Sequence, residues 1–276
     1  MVSDLFLFKN ITVSNSKPDN NDVIRNFANS MQNLQGNLHI LEQQVPVQRQ
    51  VAYFKFSDKL KREQSAQLPL GDEQVDEIYA TLQDEQTEGT DPIGKAEKRR
   101  LLSLLAISRS VKAFRLLQSY IKHPDPEVAD WAAMALMESR LALETELSDE
   151  KQIYIATAMG GKGQKLRFSI VLYANTKEPL LPFQRQTIED EVAFHFSHAD
   201  CEIERLEIKD HYVRLLCLIP IKANVQAIFD RILNGCNEFG DFLRHGFTIS
   251  NVQEITEEEI LKEIERQQNE STKASD

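Results

Sequence analysis

The chain has 276 residues, of which 41% are hydrophobic and 27% charged, with a formal net charge of −11. That is the composition of a globular protein with room for one large domain or two ordinary ones. The acidic balance argues against a general polyanion binder, an apolar run such as Leu215 to Ile221 is too short to span a bilayer, and three widely spaced cysteines, Cys201, Cys217 and Cys236, make neither a metal spacing nor a disulfide framework.

The N-terminus, Met1-Val-Ser-Asp-Leu-Phe-Leu-Phe-Lys9, has no basic start and no long apolar core, so no secretory signal is expected. The cysteines then read as reduced core thiols of a cytoplasmic protein. Residues 1–93 are mostly polar and helix-prone. Periodicity predicts helices over Asp22–Leu34, Val47–Leu60 and Glu73–Leu82, with loop chemistry over Ser14–Asn21. Asp84-Glu-Gln-Thr-Glu-Gly-Thr-Asp-Pro92 mixes acids with Gly and Pro and has no apolar period, which predicts a linker near 84–93.

From Lys95 to Leu147 the helical pattern strengthens, with stripes at Leu101, Leu104, Leu105 and Ser108 and at Phe114, Leu117 and Ile121. His123-Pro-Asp-Pro-Glu-Val128 then predicts a turn, with Asp125 as N-cap and Pro126 in the first helical turn. Small residues in Val128-Ala-Asp-Trp-Ala-Ala-Met-Ala-Leu136 suit close helix packing. Residues 111–145 resemble a HEAT-like repeat, although a solenoid needs about three stacked units; a plain helical hairpin is the competing reading.

After Ser148 the pattern turns to strands: Gln152–Met159 and Lys165–Ala174, joined by a five-residue glycine-rich loop over 160–164, then Cys201–Lys209, Tyr212–Ile221 and Phe247–Val252. Helices are predicted over Pro182–Phe196, Asn224–Phe239 and Glu257–Gln268, the last opened by a Thr256/Glu259 capping box. The expected fold class is α+β: an all-helical N-terminal half, HEAT-like in one of its two readings, followed by a ferredoxin-like antiparallel sheet domain with helices on one face. The expected segments are a helical or irregular region over 1–93, a HEAT-like helical region over 94–148, the sheet domain over 149–268 and a disordered tail over 269–276.

Within this pattern, Lys165–Leu181, Glu202-Ile-Glu-Arg-Leu-Glu-Ile208, Val213-Arg-Leu-Leu-Cys-Leu-Ile-Pro-Ile-Lys222, and Gly246-Phe-Thr-Ile-Ser-Asn-Val252 with the helix after it follow one another in a familiar order. Residues 165–267 resemble the single-tyrosine HUH transposases, which cut single-stranded DNA. The resemblance places two metal-binding histidines at positions held here by Tyr212 and Arg214, and the tyrosine nucleophile at the position of Glu263. Arginine is no metal ligand, a carboxylate cannot form the phosphotyrosine intermediate, and no tyrosine follows Tyr212. His211, adjacent, belongs to the turn. The resemblance therefore implies a degenerate site, no catalytic residue and no enzyme, and it implies a possible homodimer, because transposases of this family join their sheets.

Other constellations carry less. Gly160-Gly-Lys-Gly163 lacks the full phosphate-loop pattern. His195 and His198 share a helix face but lack a third ligand, and a helix C-terminus favours histidine for its dipole alone; no metal and no cofactor is expected. Lys98-Arg-Arg100 reads as a solvated basic face, and Trp131 as core. A residual nucleic-acid surface would be sought at Lys165, Arg167, Arg205, Lys209 and Arg214.

Charge is unevenly spread, at −6 over residues 1–150, 0 over 151–253 and −5 over 254–276. A neutral sheet domain flanked by acidic segments favours protein partners over nucleic acid. The sequence thus points to a non-catalytic regulatory or scaffolding protein. The alternative is a domesticated hairpin or single-stranded DNA binder without cleavage, and a third reading is an enzyme of different chemistry.

Overall fold

The computed structural model describes residues 11–14, 22, 25–26, 29–31, 36–66, 68–83, 94–148, 152–155, 157–176 and 178–273. The expected linker near 84–93 and most of the expected helix Asp22–Leu34 lie outside these. The chain forms two compact units, one of Met1–Ser3 with Gln35–Ala156 and the other of Asp4–Leu34 with Thr157–Asp276. Its class is mixed α+β.

The first unit is built on five helices: α1 (Val47–Glu63), α2 (Asp72–Gln83), α3 (Lys95–Ile107), α4 (Val111–Tyr120) and α5 (Ala129–Leu147). The Leu101, Leu104 and Leu105 stripe of α3 meets Trp131, Ala132 and Ala135 of α5 in one core with Tyr53, Val75 and Leu117. Small residues on α5 let the helices approach closely, and each large side chain buried this way contributes roughly 1.5–3 kcal/mol. Residues 35–83 and 95–147 share this core. Helix α5 starts at Ala129, later than expected, because Asp125 accepts from the Glu127 amide and closes a turn over residues 126–128.

The N-terminal half is not all-helical, which corrects the sequence expectation. Strand β1 (Ile11–Ser14) belongs to the second unit, and β2 (Asn37–Ile40) pairs in parallel with β3 (Gln152–Ile155) beside the helices of the first. Four-residue strands carry too little alternation to stand out from polar neighbours. Consequently β3 does not form a hairpin with the strand after it. That hairpin is made by β4 (Gly161–Lys162) and β5 (Lys165–Ala174) around a two-residue turn, where Gly163 takes φ +58°.

The second unit continues with α6 (Pro182–His198), β6 (Glu202–Ile208), β7 (Tyr212–Pro220), α7 (Val225–Asn237), β8 (Leu243–Ser250) and α8 (Glu257–Lys273). Its sheet runs β1-β8-β5-β7-β6, antiparallel throughout, with β4 paired to β5. Period-two alternation assigns Leu166, Phe168, Ile170 and Leu172 of β5 to one face and Arg167, Ser169, Val171 and Tyr173 to the other. The first face carries α6 and α7: Ile188, Val192 and Phe196 recur every four residues, Ile228, Phe229, Ile232 and Leu233 form the stripe of α7, and Phe229 meets Phe196 edge to face and lies tilted against Phe247. Asn224 caps α7 by accepting from the Ala227 amide at 3.1 Å.

Helix α8 covers the second face, so helices lie on both sides of the sheet. Ile255, Ile260 and Ile264 pack with Val171, Tyr173 and Tyr212. The capping box forms as expected: Thr256 Oγ1 accepts from the Glu259 amide at 3.3 Å while Glu259 accepts from the Thr256 amide at 2.9 Å. The helix extends to Lys273, so residues 269–273 of the expected tail are helical, while 274–276 lie outside the described residues.

Candidate functional site

Tyr212, Arg214 and Glu263, the positions the sequence resemblance singles out, gather on the second face of the sheet, beneath and beside α8. Tyr212 opens β7 opposite Tyr173, and Arg214, two residues on, stands opposite Val171 of β5 and Glu207 of β6. The side chains of Tyr212 and Arg214 therefore share one face, as their spacing requires.

Each is held by an acid. Tyr212 is buried, and its hydroxyl donates to Glu257 Oε1 at 3.2 Å. Burial, reinforced by the Glu257 carboxylate, raises its pKa above the ordinary phenol value, so the phenol stays protonated at neutral pH and is a poor nucleophile. Arg214 donates to Glu254 Oε2 at 3.2 Å and faces Glu207 at 3.9 Å. Arg205 bonds the same Glu254 and pairs with Glu207 at 3.1 Å. Two arginines and two glutamates thus make a closed ring of charge joining β6, β7 and the approach to α8. Within it, Arg214 Nε is buried and has no hydrogen-bond partner among the described residues.

Glu263 lies on the inward side of α8 and takes the Arg266 guanidinium, with Arg266 Nε 2.8 Å from Glu263 Oε2. Nearby Tyr173 donates to Thr248 Oγ1 at 2.8 Å in a buried bond, and burial pushes its pKa well up. Ser169 Oγ accepts from the Ile255 amide at 3.0 Å, tying the segment before α8 to the centre of the sheet.

The remaining cations suggested for nucleic acid are largely neutralised. Lys165 Nζ reaches Asp200 at 2.9 Å and Glu202 at 3.0 Å, and those bonds raise its pKa. Arg167 makes a bidentate pair with Glu204 at 2.6 and 2.7 Å and donates its third nitrogen to the Met159 carbonyl. The pair forms where β6 bulges between Ile203 and Arg205, so that Glu204 and Arg205 reach the face of β7 together. Lys209 is the exception: it is exposed and has no ion pair among the described residues.

Sequence reasoning found these side chains and missed the acids that engage them: Glu204, Glu207 and Glu254 for the arginines, Asp200 and Glu202 for Lys165, and Glu257 for Tyr212. Two signals were present. Glu207 lies two residues from Arg205 on the same strand, and Glu254 and Glu257 flank the Thr256 cap that the sequence marks.

The other constellations are internally engaged. Lys98 pairs with Asp125, Arg100 with Glu97, and Arg99 stacks 4.8 Å over the Trp131 ring, whose Nε1 donates to Ser103 at 2.9 Å. His195 faces Glu191 at 3.3 Å, and His198 lies 2.8 Å from the Phe194 carbonyl. Among the described residues no three His, Cys, Asp or Glu side chains group as metal ligands. All three cysteines are free, with Cys217 and Cys236 buried and the Cys201 thiol pushed up to about 12 by burial. No described helix is long and apolar enough to cross a membrane.

No protein-family model matches the chain, and comparison with curated proteins finds no match. Among solved structures it is similar to one described as "a putative transposase" from Deinococcus radiodurans R1, with 18% identity and a TM-score of 0.34, over 39% of this chain and 95% of that one.

Proposed function

We propose that the chain is a non-catalytic regulatory or scaffolding protein of the cytoplasm that acts through protein contacts, built on a transposase-like domain that has lost its cutting chemistry. The observation that carries this reading is the engagement of all three degenerate positions: Tyr212 with Glu257, Arg214 with Glu254 and Glu207, and Glu263 with Arg266. Groups committed to internal acids and bases are not poised for a scissile phosphate. The split β-α-β connectivity, with sheet order β8-β5-β7-β6 for strands that follow one another as β5, β6, β7 and β8, supports a ferredoxin-like domain. The α4–α5 hairpin supports a HEAT-like unit presenting helices to a partner.

The rival reading, nucleic-acid binding without cleavage, has Lys209 alone in its favour among the five candidate cations. Purified full-length protein mixed with labelled hairpin single-stranded DNA, with and without Mg²⁺ or Mn²⁺, separates the readings. We expect neither a shift nor a shortened strand. A salt-sensitive shift would transfer the function to nucleic-acid binding, and a cut strand would overturn the loss of chemistry.

A further inference from the structure

Helix α6 carries apolar side chains on two opposite faces. Ile188, Val192 and Phe196 are buried against the sheet, and the helical repeat sets Phe183, Asp190 and Phe194 on the face directly opposite. Phe183 is 52% and Phe194 56% exposed, and Leu181, just before the helix, is 51% exposed. The neighbouring α7 shows the ordinary pattern, with polar Asp230, Arg231 and Asn234 outward. A lone exposed apolar residue needs no account. Two phenylalanines on one stripe, roughly 16 Å apart along the axis, make the kind of patch that marks an interaction surface.

The patch is already ordered at its C-terminal end. The Phe194 ring lies tilted against His198, with centroids 4.3 Å apart, and meets His195 edge to face at 5.2 Å. His195 faces Glu191 at 3.3 Å, and His198 Nδ1 lies 2.8 Å from the Phe194 carbonyl. A side chain held in this way loses little freedom on binding.

Charge selects the occupant. Between the two phenylalanines Asp190 accepts from Gln186 at 3.0 Å, and neither Asp190 nor Glu189, next to it in sequence, has an ion pair among the described residues. Arg185, on the sheet side, is committed to Asp210 and to the carbonyls of Leu180 and Ile208. A second copy laid antiparallel on the stripe would set Phe183 on Phe194 at each end and Asp190 against its own counterpart near the centre, where like charges repel. The same acids turn away nucleic acid and anionic lipid. A long helical ridge suits a second helix, and apolar anchors beside uncompensated acids suit one that carries Lys or Arg along its apolar stripe.

We infer that the outer face of α6 docks a cationic amphipathic helix of a protein partner, with Phe183 and Phe194 as its anchors and Asp190 selecting charge. The inference rests on the reading of the chain as one that acts through protein contacts.

The test titrates full-length protein into two labelled peptides of about 18 residues with the same leucine stripe, one carrying lysine and the other glutamate at the remaining positions. Binding is followed by fluorescence anisotropy at physiological salt. The lysine peptide should bind and the glutamate peptide should not. Phe183→Ala/Phe194→Ala, with folding checked by circular dichroism, should weaken the lysine peptide by about tenfold or more, and Asp190→Lys should weaken it and admit the glutamate peptide. The inference is overturned by a lysine peptide that does not bind or that binds the double variant as well as the parent. Equal binding of the glutamate peptide to the parent overturns it too. So does a parent that light scattering shows to self-associate through the two phenylalanines, which would give the face to a second copy. The hairpin assay reads the other question: a chain that shifts or cuts the DNA and still binds the lysine peptide through Phe183 and Phe194 loses the non-catalytic reading and keeps this surface.

Discussion

In the helical unit, Glu138 takes hydrogen bonds from Tyr53 at 2.6 Å and Ser57 at 2.7 Å and an ion pair from Lys61 at 2.6 Å, in a site almost closed to solvent. In the sheet unit, Glu254 and Glu257 take theirs from Arg205, Arg214 and Tyr212 on a face that stays partly open. The ingredients are the same, but the surroundings differ. A buried carboxylate stripped of its partners has no water to turn to, so its network is fixed. A half-open network exchanges its bonds with water and weakens with salt. The first arrangement therefore holds helices together, while the second sets the charge a visitor would meet.

The sharpest way to break this contrast is Glu138→Ala. It leaves the Tyr53 and Ser57 hydroxyls and the Lys61 ammonium without their acceptor, and a loss of about 3–5 kcal/mol is expected in denaturant unfolding. A loss below about 1 kcal/mol would put Glu138 in the same class as Glu254. Ile260→Ala, in the core beneath α8, should cost about 2–4 kcal/mol by opening a cavity against Tyr173 and Tyr212. Thr256→Ala removes the α8 cap and should cost about 1 kcal/mol, with the loss concentrated in hydrogen-exchange protection of α8.

Smaller still in stability, but telling for function, is Glu207→Gln/Glu254→Gln. Stability should change by less than about 1 kcal/mol, while Arg205 and Arg214 lose their neutralising acids. Binding of a labelled single-stranded oligonucleotide at low salt should strengthen and show a steeper salt dependence. An unchanged affinity would mean that these arginines do not govern what the face can hold. The smallest effect expected is at Asp125, whose pKa is lowered by its bond to Lys98 and by the Glu127 amide. A carboxylate depressed on folding adds stability above its unfolded value near 3.8 and loses it as pH falls through the folded value. The difference between the parent and Asp125→Asn should therefore vanish in strong acid.

The strongly periodic parts of this structure are legible from residues alone. The stripe of α7, the alternation of β5 and β7 and the Thr256/Glu259 box each follow from spacing, because one face is buried and one capping pattern fits. What the sequence withholds is partner choice. Gln152–Ile155 reads as a strand but nothing local says that it pairs with Asn37–Ile40 and leaves β5, and four residues at Ile11 give no sign of an edge over two hundred residues away. Arg205 and Arg214 are equally plain as cations, yet their neutralisation by Glu254 depends on a bulge and on the path of the chain into α8, both tertiary facts.

The order in which the chain is made gives β1 a further consequence. The helical unit draws its core from one continuous stretch and can close as soon as that stretch is available. The sheet cannot: β1 precedes its partner β8 by more than two hundred residues, so it is made long before that partner and is among the last segments to find its place. Contacts of such separation form slowly. Until they do, the stretch of β8 that β1 covers is an open edge without charge over Gly246–Ser250, and open edges are where two chains are most apt to meet.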